Sequence, residues 1–222
     1  MNIKYIILFL WIALSSHANC CVFEKVIRKT GVLMNNITKK TIDENFDVLK
    51  DNGLRQGLIS SREEVHKLGH IHRAVHLYLF DHEKNIFLQK RSQNTDHYPG
   101  YWSISVTGHI RAGECSSVAL LREVKEELGI NLLQYYFLFS YRRDAILGEY
   151  NDRQFNDVYV GLIDSPELLL DKKDVECVEA VPFEKFQEMV DNPVFYKLAP
   201  VYGDSCKDVV YFMKNNFFDT AQ

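Results

Sequence analysis

The spacing of hydrophobic and polar positions changes repeatedly along the chain, and each change marks an element. Asp47-Val-Leu-Lys-Asp-Asn-Gly53 reads as a strand running into a turn, with Leu54 to Ile59 as the return strand. Asn-Gly between two such runs is a strong hairpin signal, since both residues tolerate the left-handed backbone. Ser61-Arg-Glu-Glu64 has capping-box spacing and opens a short helix that ends near Gly69. Ile71 to Phe80 and Asn85 to Lys90 read as strands, joined by the polar turn Asp81-His-Glu-Lys84. Tyr98-Pro-Gly-Tyr-Trp102 is a rigid aromatic loop, and Trp102 to Thr107 alternates as one strand. Further on, Leu132 to Tyr141 is an aromatic-rich strand, and the segments around Arg142 and Gly148 to Arg153 form a polar hairpin region. Phe155 to Ile163 is the next strand. Pro182 precedes a helix over Phe183 to Val190, and Val209 to Phe217 reads as a last amphipathic helix.

Between these elements lies a helix of a different kind. It starts after Gly113-Glu114, where Ser116 or Ser117 is placed to cap the first turn, and it stops at Gly129, a left-handed stop signal. At about 100° per residue, Glu123, Glu126 and Glu127 fall within an arc of roughly 100°. Val118, Leu121, Val124 and Leu128 are expected on the opposite, core-facing side. Like charges at i, i+3 and i+4 repel by a few tenths of a kcal/mol per pair in an exposed helix. A purely solvated face relieved by Arg122 and Lys125 is the ordinary outcome. The alternative is a site for a hard divalent cation, which prefers carboxylate oxygen.

Composition narrows the class. The chain has 222 residues, 46% hydrophobic and 25% charged, with a net charge of −4. That is ordinary for one globular domain, and there is no basic run of the kind a nucleic-acid binder needs. The five cysteines, Cys20, Cys21, Cys115, Cys177 and Cys206, lack metal-binding spacing, and their odd number suits no full disulfide framework. Lys4, an apolar run from Tyr5 to Leu14 and small residues at Ser16 and Ala18 have the form of a secretory leader, shorter than a membrane span. His66, His70, His72 and His76 crowd one region, with His109 further on, and the expected roles are surface and hydrogen-bonded strand histidines, with a metal site as the alternative.

The helix and its lead-in follow a longer pattern: Gly108, five residues, Glu114, seven residues, Arg122-Glu-Val, one residue, Glu126-Glu127, one residue, Gly129-Ile130. This resembles the signature of the Nudix hydrolases and fills every fixed position of it. His72 to Phe80, Phe87 to Ser92 and Tyr98 to Trp102 are similar to the branch that includes isopentenyl-diphosphate isomerase. In those isomerases a catalytic cysteine lies shortly before the Gly-His step, whereas Trp102 to Thr107 holds none.

The resemblance implies an α+β fold, an α/β/α sandwich with a mixed sheet. With the leader read from the N-terminal residues over 1–18 and an extension over 19–40, it leaves one catalytic domain over 41–222 with a core at about 70–200. It implies a Mg²⁺- or Mn²⁺-dependent hydrolase of a nucleoside diphosphate-linked or prenyl diphosphate. Isomerisation of isopentenyl diphosphate and a silent diphosphate-binding module are the alternatives. Glu123, Glu126, Glu127 and the Gly108 carbonyl are the implied metal ligands, and Arg122 orients the carboxylates. The proton of the attacking water goes to one of these glutamates or to Glu149 or Asp157. Glu114 holds the loop or a further cation, while Arg111, Lys90 and Arg91 are candidates for substrate phosphates. The expected partner is a small-molecule diphosphate, with no nucleic acid and no stable membrane span; the leader implies export, and the oligomeric state stays open.

Overall fold

The computed structural model describes residues 44–218 apart from 96, 149, 165–166 and 201–202. The expected leader and N-terminal extension lie outside the described residues, and so does Glu149. The first hairpin pairs β1 (Asn45–Leu49) with β2 (Arg55–Ser61), and Gly53 takes a φ of 78° in its turn. Helix α1 (Arg62–Leu68) has the full capping box: Ser61 accepts from the Glu64 N–H, and the Glu64 carboxylate accepts from the Ser61 N–H. Gly69 ends it at φ 67°.

The main sheet is organised on β3 (His72–Phe80), buried along nearly its whole length. One edge of β3 pairs in parallel with β8 (Tyr150–Leu162). The other edge pairs first with β6 (Val106–His109), then with β4 (Asn85–Arg91). β5 (Trp102–Ser103) pairs with β4. The stretch expected as one strand from Trp102 to Thr107 is therefore two. It is inserted where β3 and β4 part, holding β4 through residues 102–103 and β3 through 106–109. The Ser105 hydroxyl, at the change of partner, accepts from the Leu79 N–H at 2.7 Å and donates to the Phe87 carbonyl at 2.5 Å. A side chain thus replaces the ladder where backbone pairing is interrupted.

β7 (Gln134–Leu147) and β8 form one long antiparallel hairpin that turns at Gly148, φ 64°. The polar hairpin region expected around Arg142 and from Gly148 to Arg153 is the outer end of this hairpin. Cross-strand ion pairs, Arg143 with Asp152 and Arg153 with Asp144, replace apolar contacts there. The remaining strand, β9 (Val175–Pro182), covers the outer edge of β4 and carries no apolar alternation that would announce it. Helix α3 (Phe183–Asp191) follows, as the pattern predicts. Helix α4 (Gly203–Met213) begins well before Val209 and runs into a π-helical turn, Lys214–Phe218.

Helix α2 (Ser116–Leu128) packs on one face of the sheet, against Val75, Leu77, Leu79, Val106 and Tyr159. Helices α3 and α4 pack on the other, against Tyr78, Phe80, Ile86, Leu88, Val158 and Val160. The fold is thus a mixed sheet between helical layers. Among the described residues, no helix is long and apolar enough to cross a membrane.

Candidate functional site

Helix α2 does not divide its faces as expected. Val118 and Leu121 are 49% and 37% exposed, while Ala119, Leu120, Val124 and Leu128 are fully buried. Glu123 is only 8% exposed. On a helical projection Glu123 and Glu127 adjoin Leu120 and Val124, so two carboxylates enter the sheet-facing side. Glu126 stands outside it, half exposed. The Ser116 and Ser117 hydroxyls do not cap the helix; its N-cap is Cys115, with no side-chain cap bond, and Ser116 accepts from the Tyr159 hydroxyl instead.

Arg122 gathers the motif. Its Nε and Nη2 bind both oxygens of Glu114 at 2.9 Å, and Nη2 also donates to the His109 carbonyl at 2.9 Å. Nη1 donates to Glu123 Oε1 at 2.5 Å and to Glu126 Oε2 at 3.2 Å. Glu114 accepts the Arg111 N–H as well, which closes the loop over 111–114. The guanidinium fork matches carboxylate geometry in a way an ammonium does not. Gly108 lies directly under Glu123: a Cβ there would come within 2.0 Å of Glu123 Cδ. Any other residue at 108 would push the carboxylate away.

The two inner glutamates resist ionisation. Burial lifts Glu123 from its ordinary 4.5 to about 7, against the pull of Arg122 and with added repulsion from Glu126. Burial also raises Glu127 well above its ordinary value, and the Glu123 charge adds to the effect. Glu127 takes one side-chain hydrogen bond among the described residues, from Gln89 Nε2 at 3.1 Å. Adjacent buried carboxylates without matching positive charge are costly in themselves, and a hard cation bound between them offsets that cost. The donor set and the close fit of Gly108 therefore suit Mg²⁺ or Mn²⁺.

The other candidates are spread around this centre. Arg111 reaches Glu44 at 3.7 Å and Glu126 at 3.6 Å. Arg91 lies near enough to Glu127 to favour its charged form, and its Nε donates to the His97 carbonyl. Lys90 alternates to the face opposite Gln89. It pairs with Glu176 at 2.8 Å and lines a cavity of about 370 Å³ with Tyr101, Trp102, Tyr196 and Lys197. Asp157 is buried and bound by Arg73 Nη2 through both oxygens, at 2.7 and 2.6 Å.

The histidines depart most from expectation. His66, His72, His109 and Asp152 each offer a ligand atom, and these atoms lie within 4.8 Å of one another. His66 Nδ1 is 2.8 Å from the Arg62 carbonyl and His72 Nδ1 is 3.1 Å from the His70 carbonyl. A carbonyl only accepts, so each Nδ1 carries the proton and each Nε2 lone pair faces the cluster, where Gln154 Nε2 lies 3.4 Å from His72 Nε2 and 3.2 Å from His109 Nε2. His66 Nε2 and Asp152 Oδ1 are buried without a hydrogen-bond partner. Burial brings His72 down to about 4 and His109 well below the usual histidine range, which keeps both rings in the neutral, ligating form. Three imidazoles and a carboxylate suit a borderline cation such as Zn²⁺ better than Mg²⁺. The sequence signal for this group was the crowding of histidines between 66 and 76; Asp152 gave none. His76 stays apart, buried 3.2 Å from the Tyr141 hydroxyl.

The NUDIX domain pattern matches residues 70–200. The chain belongs to the Nudix family. It is similar to Nudix hydrolase 3 of Arabidopsis thaliana, 36% identical over 174 residues, 72% of this chain and 22% of that protein. It is 36% identical to isopentenyl-diphosphate Delta-isomerase of Serratia proteamaculans over 105 residues, 47% of this chain and 58% of that one. The chain thus spans well under two thirds of either relative's length. An uncharacterised Nudix hydrolase of Listeria innocua is 30% identical over 178 residues, 79% of this chain and 94% of that one. The crystal structure of a Deinococcus radiodurans protein shares the fold at a TM-score of 0.59 and 20% identity, covering 76% of this chain and 98% of that one.

Proposed function

We propose that this Nudix chain hydrolyses a diphosphate bond in a small molecule, using Mg²⁺ or Mn²⁺ held by Glu123, Glu126, Glu127 and the Gly108 carbonyl. The observation that carries the reading is the pair of inner glutamates, Glu123 and Glu127, one helical turn apart with their charge only partly matched. Glu123, Glu126 and Glu127 would hold the divalent cation, which would supply charge neutralisation for the phosphates and a more acidic water. The chain's own groups set the rest. Arg122 fixes Glu123 and Glu114 in one plane and ties both to the loop carbonyl at 109. Gly108 permits the close approach of Glu123. Glu126 stands at the solvent edge and accepts the proton of the attacking water, with Glu127 as the inner alternative. Arg91 and Arg111 supply positive charge for the substrate phosphates, while Lys90, on the opposite face of β4 and paired with Glu176, does not reach them. Thr107, not a cysteine, precedes the Gly108-His109 step, which weighs against isomerisation.

The substrate class is a nucleoside diphosphate-linked compound or a prenyl diphosphate. The test is release of the monophosphate products, separated by chromatography, across both kinds, with Mg²⁺ and with chelator, for the wild type and Glu127→Gln. Release should require the cation, and Glu127→Gln should lower it by about 100-fold or more, the upper end of what loss of a ligand's supporting contacts costs. Release that survives both chelator and the substitution would overturn the reading.

A further inference from the structure

Gln89 lies outside the pattern from Gly108 to Ile130, within the Phe87 to Ser92 stretch, and no role is assigned to it there. It lies on β4, 3% exposed, where the inserted segment 102–109 separates β4 from β3, and Ser103 is its partner across the ladder. Its amide nitrogen donates to Glu127 Oε2 at 3.1 Å. On the neighbouring glutamate, Arg122 Nη1 holds Glu123 Oε1 at 2.5 Å. Each inner carboxylate therefore has one oxygen tied by a donor, and Glu123 Oε2 and Glu127 Oε1 are left for a cation.

We propose that Gln89 is the positioning residue that presents Glu127 to the divalent cation. The proposal rests on the hydrolase reading above. The terminal torsion of a glutamate is soft, so an untied carboxylate rotates freely. Repulsion from Glu123 would turn it away from the shared position. A tether from the sheet to the helix prevents this. The tether is also neutral. An arginine or lysine at 89 would make the same hydrogen bond but bring a positive charge against the incoming cation. The two inner glutamates thus have unlike partners: a guanidinium that also organises the loop, and an amide that only orients.

Groups that orient a ligand typically change metal affinity by about 10–100-fold when removed. The experiment compares the wild type with Gln89→Leu, which loses the donor, and Gln89→Lys, which keeps a donor and adds charge. Mn²⁺ binding is measured by calorimetry, and release of the monophosphate products is measured against Mg²⁺ concentration. Both variants should bind Mn²⁺ about 10–100-fold more weakly. The Mg²⁺ needed for half-maximal release should rise by the same factor, with the maximal rate within about threefold of wild type. Gln89→Met, unbranched and of similar reach, repeats the measurement with the least disturbance of β4. Unchanged Mn²⁺ affinity in the folded variants would overturn the proposal, as would a loss of maximal rate with no change in half-saturation. Wild-type Mn²⁺ binding without release from any diphosphate would sink the hydrolase reading but leave the role of Gln89 to be read from the binding data.

Discussion

Glu123→Gln should make the cation-free protein more stable, and the gain should depend on pH. The cause is the burial that lifts the Glu123 carboxyl from 4.5 to about 7. A shift of one pH unit corresponds to about 1.4 kcal/mol between protonation states, so the shift here corresponds to about 3 kcal/mol. Below pH 4.5 the carboxyl is protonated in the folded and unfolded chain alike and costs nothing. Between 4.5 and about 7 the unfolded chain ionises while the folded one does not, so stability falls as pH rises. Above 7 the penalty is complete. Glutamine keeps the shape, and its carbonyl still accepts from Arg122 Nη1, but it carries no charge. Urea unfolding in chelator should therefore show Glu123→Gln more stable than wild type by about 3 kcal/mol at pH 8 and by less than about 1 kcal/mol at pH 5. For a domain of this size the gain at pH 8 is a rise in Tm of about 6–12 °C. Relief of Glu127, which feels the Glu123 charge, acts in the same direction. Saturating Mg²⁺ should reverse the order at pH 8, because only the wild type gains from the cation. A substitution that destabilises equally at both pH values would refute the reasoning.

Two further outcomes follow. Gly108→Ala is free of backbone strain, because 108 is not among the positive-φ glycines, yet its Cβ would lie 2.0 Å from Glu123 Cδ. The carboxylate must swing away from Arg122, so unfolding should change by only about 1–2 kcal/mol while Mn²⁺ affinity falls by 10-fold or more, measured by denaturation and calorimetry. For the histidine cluster, Co²⁺ added to chelator-stripped protein should give a visible absorption band that His66→Ala and Asp152→Asn weaken or abolish and Glu123→Gln retains. The occupied cluster should also raise stability by about 2.7 kcal/mol at a hundredfold excess over Kd; identical spectra in all variants would count against the cluster.

What the sequence shows and hides follows the range of the forces involved. The capping box at Ser61–Glu64, the stops at Gly69 and Gly129 and the motif from Gly108 to Ile130 are short-range signals, and they read correctly. The faces of α2 were misjudged because periodicity assumes that charge means solvent. Glu123 is held inside by Arg122 and by the absence of a side chain at 108. β9 was hidden because its partner β4, not its own composition, keeps it extended. The division of Trp102–His109 between two strands depends on where β3 and β4 part, which no local pattern encodes. The histidine cluster needed α1, β3, β6 and β8 brought together, with an aspartate distant in the chain as its fourth member.

His109 belongs to both candidate centres. Its ring joins His66, His72 and Asp152, while its carbonyl receives Arg122 and its neighbour Gly108 seats Glu123. The two centres are therefore joined along the chain through a single residue, while α1, β3 and β8 supply the other members of one and α2 supplies the glutamates of the other. Inserting or deleting even one residue between Val106 and Glu114 would move both at once, so among related chains this segment should hold its length as strictly as position 108 stays without a side chain.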